Sequence, residues 1–326
     1  MDYSRETIGV IGTGPVGALL GSYLLKAQKQ VAFVDLPHRI KQIKEVGFNV
    51  TRYTEFHVMP EVLLTDIREL ANFNLSMIFI ATKAPALRSI VPKIKDIYYP
   101  GIRVISFQNG IGVEDYLSKI LGAHHVSRGV INFAGNINPE TGDITMNWFH
   151  PPNYLGPASE RPNDLTDIAD VLTNAGLDTK AISHREVKRE AFFKTILNSA
   201  LNAMCASTGI TMSKAMRYPH TRSLAKTLIR EGLGTAAMLG HYYGENTFQT
   251  CMDYLDAGGD HYPSMWTDLE RKLPTEIEFI NGAIVRIAMQ FKDLDVDLNK
   301  FFVSMVMTQE IKNGTRDPED IPSYLT

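Results

Sequence analysis

The feature that most constrains this chain is a glycine-rich turn near its start, between a short apolar strand and a helix. The predicted strand covers 7–11 and the predicted helix covers 15–27. The turn consists of Gly12, Thr13, Gly14, Pro15, Val16 and Gly17. In a G-x-G-x-x-G turn the first glycine permits the tight turn, the second lets a pyrophosphate approach the backbone, and the third lets helix and strand pack closely. Because the helix end also offers free amides and a favourable dipole, the turn predicts a dinucleotide site.

A second predicted strand, over 30–35, ends in Asp35. A carboxylate at this place can accept hydrogen bonds from the ribose hydroxyls of NADH, and it repels the 2′-phosphate of NADPH. NAD(H) is therefore predicted to be preferred, with NADP(H) also able to bind. Arg39 and His38 are the neighbouring ion-pair candidates, and we expect Pro37 and the helix start to tilt Arg39 away. The alternative is that Asp35 only forms a turn.

The pattern of strands and helices changes along the chain. Further strands are predicted at 76–82 and 103–107, each followed by a helical segment, which is typical of βαβ units and a parallel sheet. The Gly-, Asn- and Pro-rich stretch 126–156 predicts antiparallel strands added at the sheet edge. Later segments are predicted to be helices at 184–205, 223–243, 247–255, 264–272 and 275–291.

The predicted fold class is therefore α/β: an N-terminal Rossmann-type doubly wound sheet followed by an all-helical second domain. The polar stretch 179–186 marks the boundary, with a dinucleotide-binding domain at 1–182 and a helical substrate and catalytic domain at 183–326.

Composition excludes several classes of function. The 33 Lys and Arg residues against 36 Asp and Glu residues leave no basic surface for nucleic acid. Cys205 and Cys251 are too few and too far apart for a disulfide framework or a cysteine zinc site, and no histidine pattern indicates a metal. The polar start does not resemble a signal peptide, and no apolar run approaches the length of a membrane span. We expect a cytoplasmic protein without a metal, a membrane or a nucleic acid as partner.

Polar residues recur along one face of the helix predicted at 184–205. Lys194, Asn198 and Asn202 follow one another at intervals of four residues, which places them on one helical face. Asparagine is a mediocre helix former, so two of them on an otherwise apolar helix suggest a functional use. The alternative is that Lys194 reaches solvent and the asparagines bond to neighbouring helices.

Two later helix starts carry further candidate residues. Ser264 could be an N-cap, and Thr275 with Glu278 fits a capping box, which would put Glu276 in the first turn of the helix predicted at 275–291. Capping does not exclude a functional role, because a polar side chain at a helix start is well placed to meet a ligand.

Short blocks accompany the glycine turn along the chain. They are Ala81-Thr82-Lys83, Gln108-Asn109-Gly110-Ile111-Gly112, Lys194 with Asn198 and Asn202, Ser264-Met265 with Asp268, and Thr275-Glu276 with Asn281-Gly282. With these blocks in this order, the chain resembles the ketopantoate reductase (2-dehydropantoate 2-reductase) family over nearly its full length. Two positions depart from the family pattern: His261 stands where an asparagine is frequent, and Asp35-Leu36-Pro37 stands where an arginine often meets the NADP 2′-phosphate.

The resemblance implies a reductase that uses a nicotinamide cofactor to convert a 2-oxo acid, most simply 2-dehydropantoate to pantoate in pantothenate and coenzyme A biosynthesis. It implies Lys194 as the general acid and Glu276 as its acidic partner. By the same resemblance, substrate contacts are expected at Asn198, Asn202, Ser264 and Asn109, and cofactor contacts at Lys83, Asn109 and Glu276 in addition to the glycine turn and Asp35.

Reduction of a ketone requires a cationic acid where negative charge develops on the carbonyl oxygen, which Lys194 can supply. Glu276 would orient Lys194 and keep it from being an unpaired buried charge. The alternatives are a related two-domain dehydrogenase for another 2-oxo or 3-hydroxy acid, and a non-catalytic NAD(P)H sensor. A sensor needs neither Lys194 nor Glu276. The partner expected is a small 2-oxo acid, and helical second domains of this kind often form homodimers.

Overall fold

The computed structural model describes residues 5–161, 164–292 and 294–325. These residues divide into two compact units, which we call the sheet unit and the helical unit. The sheet unit comprises the described residues of Met1–Gln108 and Val113–Glu190. The helical unit comprises Asn109–Gly112 and the described residues of Ala191–Thr326. The short segment Asn109–Gly112 therefore belongs with helices that follow it much later in the chain.

The sheet unit alternates strands and helices. Its strands are β1 Glu6–Ile11, β2 Gln30–Val34, β3 Phe48–Arg52, β4 Phe56–Val58, β5 Val62–Leu64, β6 Asn74–Ile80, β7 Arg103–Ser106, β8 Val126–Val130, β9 Phe133–Ile137, β10 Ile144–Phe149, β11 Asn153–Pro157 and β12 Thr179–Ala181. Its helices are α1 Pro15–Lys26, α2 Pro37–Val46, α3 Leu87–Ile97, α4 Val113–Leu121 and α5 Thr166–Ala175.

Eight of these strands form one sheet in the order β12-β11-β8-β7-β6-β1-β2-β5. The six strands from β8 to β5 pair in parallel, β11 pairs antiparallel with β8, and β12 pairs in parallel with β11 at the edge. All of β1 except Glu6 is buried, as expected for a parallel strand covered on both faces. Every element that follows β12 in the described residues is a helix, so the predicted α/β class with an all-helical second part is confirmed.

The prediction for 126–156 was only partly correct. Of its strands, only β11 is an antiparallel addition to the large sheet, and β8 joins that sheet in parallel. Strands β9 and β10 instead form a second sheet with the order β4-β3-β10-β9. The parallel pairing of β10 with β3 places Ile144 beside Val50, and this long-range register leaves no local signal in the sequence.

The helical unit contains most of α6 and all later helices. Their bounds are α6 His184–Thr208, α7 Met212–Arg217, α8 Pro219–Met238, α9 Thr247–Asp256, α10 Ser264–Glu270, α11 Asn281–Ala288 and α12 Asp297–Asn313. The predictions did not include α7 and α12. Helix α8 begins at Pro219, which suits the first helical position, and ends before Gly240, whose φ is +73°.

The last predicted helix, 275–291, begins in the structure only at Asn281. The capping box that would have started it at Thr275 is not formed, because the Thr275 amide donates to Glu310 and Glu278 pairs with Arg316. Ile280 has φ −102° and ψ −94°, which lies outside the helical region. Residues 275–280 therefore form a series of turns, and the placement of Glu276 in a first helical turn was wrong.

Each unit has its own apolar core, and both cysteines are buried as free thiols in the helical one. Among the residues that the structure describes, no helix is both long and apolar enough to cross a membrane.

Candidate active site

The glycine turn has the backbone geometry of an anion-binding helix start. Gly12 has φ +92°, and a Cβ on Gly17 would lie 1.9 Å from the Gly12 carbonyl oxygen, so both positions require glycine. A Cβ on Gly14 would meet nothing within 4 Å, which leaves the backbone open to a ligand. Gly14 is also the N-cap of α1, no side chain caps this end, and Pro15 occupies an initial helical position. These features fit a pyrophosphate at the start of α1.

Asp35 lies directly beside this turn. Its Oδ2 accepts hydrogen bonds from the Thr13 amide at 2.5 Å and the Thr13 hydroxyl at 2.6 Å, and its Oδ1 accepts from the Leu36 amide at 2.7 Å. The carboxylate thus ties the end of β2 to the glycine turn. It also has lone pairs left for a ribose hydroxyl, since each carboxylate oxygen can accept more than one hydrogen bond.

Arg39 does not tilt away from the glycine turn, contrary to expectation. Its Nε donates to the Thr13 carbonyl oxygen at 3.4 Å, because the first turn of α2 brings the side chain back over the strand end. Burial lowers the pKa of Arg39, and the nearby Asp35 carboxylate opposes that effect. The turn therefore has an anion and a cation beside it.

Lys83 and the end of β7 lie along the same edge of the sheet as the glycine turn. Ile11 pairs with Ile80, and Ile80 pairs with Ser106, so the carboxyl ends of β1, β6 and β7 are aligned. Lys83 is the third residue after β6 and is partly exposed. Gln108 links two of these ends, accepting from the Ser106 hydroxyl at 3.1 Å and donating to the Thr82 hydroxyl at 3.2 Å.

In the helical unit, Lys194, Asn198 and Asn202 all lie within α6. Their spacing places them on one face of that helix, as predicted. Lys194 and Asn198 are partly exposed, whereas Asn202 is buried. The stripe thus runs from a partly exposed ammonium group to a buried amide.

The structure brings together Asn109 and Glu276, which are 167 positions apart in sequence. The Asn109 Nδ2 donates to the Glu276 Oε2 at 3.3 Å, and the Ile111 amide donates to the Phe279 carbonyl oxygen at 2.7 Å. Glu276 is only 4% exposed. We call residues 275–280 the Glu276 turn. The segment Asn109–Gly112 packs along this turn within the helical unit, which places a primary amide against the carboxylate.

Ser264 is the first residue of α10 and is exposed; the N-cap is Pro263, and no side chain caps the helix. The alternative of a Ser264 N-cap is therefore wrong. Two aromatic rings flank this serine: Tyr262 and Trp266 stack with centroids 3.8 Å apart and an interplanar angle of 16°. Sequence reasoning missed this pair, although aromatic residues two positions before and after Ser264 were a readable signal.

A buried polar chain that sequence reasoning also missed links α6 to α11 and α12. The Asn281 side chain donates through Nδ2 to the Ser199 carbonyl oxygen at 3.1 Å and to Asn299 Oδ1 at 2.9 Å. Asn299 in turn donates to Glu231 at 2.6 Å. Ser199 is the residue after Asn198, so this chain ties the start of α11 to the stretch of α6 that carries Lys194, Asn198 and Asn202.

Family models match both parts of the chain. Residues 8–157 match the family model described as ketopantoate reductase PanE/ApbA, and residues 186–310 match that described as ketopantoate reductase PanE/ApbA C terminal. The chain belongs to the ketopantoate reductase family. It is accordingly an NAD(P)H-dependent oxidoreductase of that family.

Individual relatives are distant. A protein named 2-dehydropantoate 2-reductase from Archaeoglobus fulgidus is 26% identical over 92% of this chain and 97% of its own length. A D-mandelate dehydrogenase solved with NADH and anilino(oxo)acetate aligns with a TM-score of 0.83 at 21% identity, covering 95% of this chain and 100% of its own. A dimeric ketopantoate reductase from Staphylococcus aureus aligns with a TM-score of 0.73 at 20% identity, covering 94% of this chain and 100% of its own. The two structures share the fold with this ketopantoate reductase family member.

Proposed function

We propose that this family member reduces 2-dehydropantoate to pantoate with a nicotinamide cofactor. The observation that carries the proposal is the buried Glu276 carboxylate held by Asn109, in the same unit as the stripe of Lys194, Asn198 and Asn202. A sensor would need neither a lysine for protonation nor a carboxylate to partner it. The name of the relative from Archaeoglobus fulgidus supports this substrate.

In the proposed mechanism, residues 1–182 bind the nucleotide and residues 183–326 supply the acid. Bound NAD(P)H supplies the hydride for the carbonyl carbon of the substrate. As negative charge develops on the carbonyl oxygen, the Lys194 ammonium stabilises it and donates the proton that completes the hydroxyl group. Glu276 orients Lys194 and offsets its charge when the substrate excludes water.

Substrate orientation is assigned to polar side chains on α6 and at the start of α10. Asn198 and Asn202 bond to the hydroxyl end of the substrate, and the Ser264 hydroxyl donates to its carboxylate. Asn109, Lys83 and Glu276 would hold the nicotinamide half of the cofactor. The amides at the start of α1 bind the pyrophosphate, and Asp35 binds the adenosine ribose, which makes NADH the preferred cofactor.

A spectrophotometric panel tests the proposal. The purified protein is assayed with 2-dehydropantoate, pyruvate and phenylglyoxylate, each with NADH and with NADPH, by the loss of absorbance of the reduced nicotinamide. We expect the largest kcat/KM for 2-dehydropantoate with NADH. Absence of turnover with all three acids would contradict the reductase assignment, and cofactor binding without turnover would favour a sensor.

A second candidate is the reduction of an aromatic 2-oxo acid, which the stacked pair Tyr262 and Trp266 beside Ser264 specifically favours. The fold is shared with a D-mandelate dehydrogenase, and His261 replaces the asparagine frequent in the family. If the pair contacts a substrate ring, Trp266→Leu will lower kcat/KM for phenylglyoxylate by about tenfold, since aromatic contacts contribute about 0.5–1.5 kcal/mol beyond buried area. Trp148→Leu, at the only other tryptophan, is the matched control.

We also propose that the protein forms a homodimer, as the Staphylococcus aureus ketopantoate reductase is described to do. Sedimentation equilibrium measures this directly, and a mass of one chain at assay concentration would contradict it.

A further inference from the structure

The Glu276 turn is held by an ionic cluster that none of the proposed roles includes. The cluster consists of Arg316 and the carboxylates of Glu310 and Glu278. Arg316 Nε lies 2.7 Å from Glu310 Oε2, and its second terminal nitrogen lies 2.9 Å from Glu278 Oε2. The side chains of Arg316 and Glu310 are 8% and 2% exposed. One guanidinium group therefore joins the end of α12 to the turn that carries Glu276.

Glu310 also bonds to the backbone of the same turn. Its Oε1 accepts from the Thr275 amide at 2.7 Å, and Thr275 is the residue immediately before Glu276. Glu278, the other partner of Arg316, lies two residues after Glu276. The cluster thus bonds to the chain on both sides of Glu276, whose own carboxylate accepts a hydrogen bond from Asn109.

The turn needs such external support because it lacks a regular helical ladder. Within it the amides of Phe279 and Ile280 both donate to the Glu276 carbonyl oxygen. The Thr275 hydroxyl accepts from the Ile277 amide at 3.2 Å. These bonds close a short turn, but they do not fix it against the rest of the unit, whereas Glu310 comes from a separate seventeen-residue helix.

Removing Arg316 would leave Glu310 buried with its charge uncompensated. A buried carboxylate in that position protonates, moves or admits water, since an unpaired buried charge is strongly unfavourable. Each of these changes weakens or breaks the bond to Thr275. Reacting groups displaced by about 1 Å can lose about 10²-fold in rate even when the change is far from the chemistry.

We propose that Arg316 is a positioning residue that acts through Glu310 and Glu278 to hold Glu276 in its productive place. The inference rests on the proposed function for Glu276, and it adds the C-terminal segment beyond α12 to the machinery of the reaction. Arg316 itself also bonds to that segment, donating to the Asp320 carbonyl oxygen at 3.0 Å.

The test compares Arg316→Met, which keeps the apolar stem, with Arg316→Lys, which keeps the positive charge but not the planar guanidinium group that bonds to two carboxylates at once. Arg222→Met is the control for loss of an arginine–carboxylate pair elsewhere, because Arg222 holds the Asp256 carboxylate with both terminal nitrogens, at a more exposed place, and contacts α7 and α9 instead of the Glu276 turn. For each variant, kcat and KM for the 2-oxo acid, the Kd for NADH and the hydrogen exchange of residues 275–282 are measured below the melting temperature.

We expect Arg316→Met to lower kcat/KM by about 10–100-fold, mainly in kcat, with the Kd for NADH within about twofold of the unmodified value. The hydrogen-exchange rate of the 275–282 amides will rise at least about tenfold. Arg316→Lys will show a smaller fall in kcat/KM and a smaller rise in exchange, and Arg222→Met will change neither quantity. If Arg316→Met does not fold, Glu310→Gln provides the second measurement, since it keeps an acceptor for the Thr275 amide while losing the charge.

Turnover of Arg316→Met within about twofold of the unmodified protein would overturn the proposal, whatever the exchange rates. The same loss in Arg222→Met would also overturn it, because the effect would then be general destabilisation. If the unmodified protein reduces no 2-oxo acid, the proposed function fails, whereas exchange of residues 275–282 still decides whether Arg316 holds the turn.

Discussion

Replacing Asp35 by asparagine tests the origin of cofactor choice, because the change removes a charge while keeping an acceptor for the glycine turn. The asparagine oxygen can accept from both the Thr13 amide and the Thr13 hydroxyl, as Asp35 Oδ2 does at 2.5 and 2.6 Å. The amide nitrogen cannot accept from Leu36, so one hydrogen bond worth about 0.5–1.5 kcal/mol is lost. The turn is therefore expected to keep its conformation at a small cost in stability.

The size of the preference for NADH over NADPH follows from the charges beside the glycine turn. A 2′-phosphate about 4 Å from the Asp35 carboxylate would be repelled by about 1 kcal/mol in water and about 4 kcal/mol in a partly buried site. Arg39 offsets part of this repulsion, since its side chain also reaches the turn through the Thr13 carbonyl oxygen. A remaining difference of about 1.4 kcal/mol corresponds to a tenfold preference for NADH.

The assay is kcat/KM for NADH and for NADPH at saturating 2-oxo acid, in low salt and at physiological ionic strength. Asp35→Asn is expected to bring the ratio of kcat/KM for NADH to kcat/KM for NADPH close to one. Arg39→Gln is expected to widen the preference for NADH, because it removes the offsetting cation. His38→Gln changes an exposed neighbour and serves as the control. Equal or better use of NADPH by the unmodified protein would refute the reasoning, as would an unchanged ratio in Asp35→Asn.

Three further predictions concern the acid, a buried ion pair and the thiols. Lys194→Ala should lower kcat by about 10²–10⁴-fold with an unchanged Kd for NADH, measured by steady-state kinetics and fluorescence titration; near-normal turnover would instead support a lysine that only reaches solvent. Arg128 lies 3.2 Å from Glu114 with both side chains 4% exposed, so Arg128→Met should cost about 3–5 kcal/mol in urea unfolding, and adding Glu114→Leu should recover much of it. No recovery in the double variant would contradict an uncompensated charge. Burial raises the pKa of the Cys205 thiol to about 12 and of the Cys251 thiol to about 11, so neither should react with a disulfide reagent at about pH 8 until the protein unfolds. Their contribution to stability should be complete below the unfolded pKa of about 8.5 and lost as pH rises toward these values, as thermal unfolding across that range can check.

The elements around the glycine turn could be predicted from the sequence alone. Strand β1, the glycine turn, α1 and β2 were predicted because their signals are local: a short continuous apolar run, glycines at fixed spacing, and an acid at a strand end. The stripe of Lys194, Asn198 and Asn202 was equally readable, since a helix of known period places every fourth residue on one face.

The conformation of the Glu276 turn depends on tertiary contacts that the local sequence does not contain. The local pattern at Thr275 and Glu278 satisfies a capping box, yet both groups are taken by Glu310 and Arg316 from a later part of the chain. The contact between Asn109 and Glu276 and the pairing of β3 with β10 likewise join distant segments. Such contacts are selected by the free energy of packing the whole unit, which can override a local preference worth about 1 kcal/mol, and no window of sequence contains the competing partners.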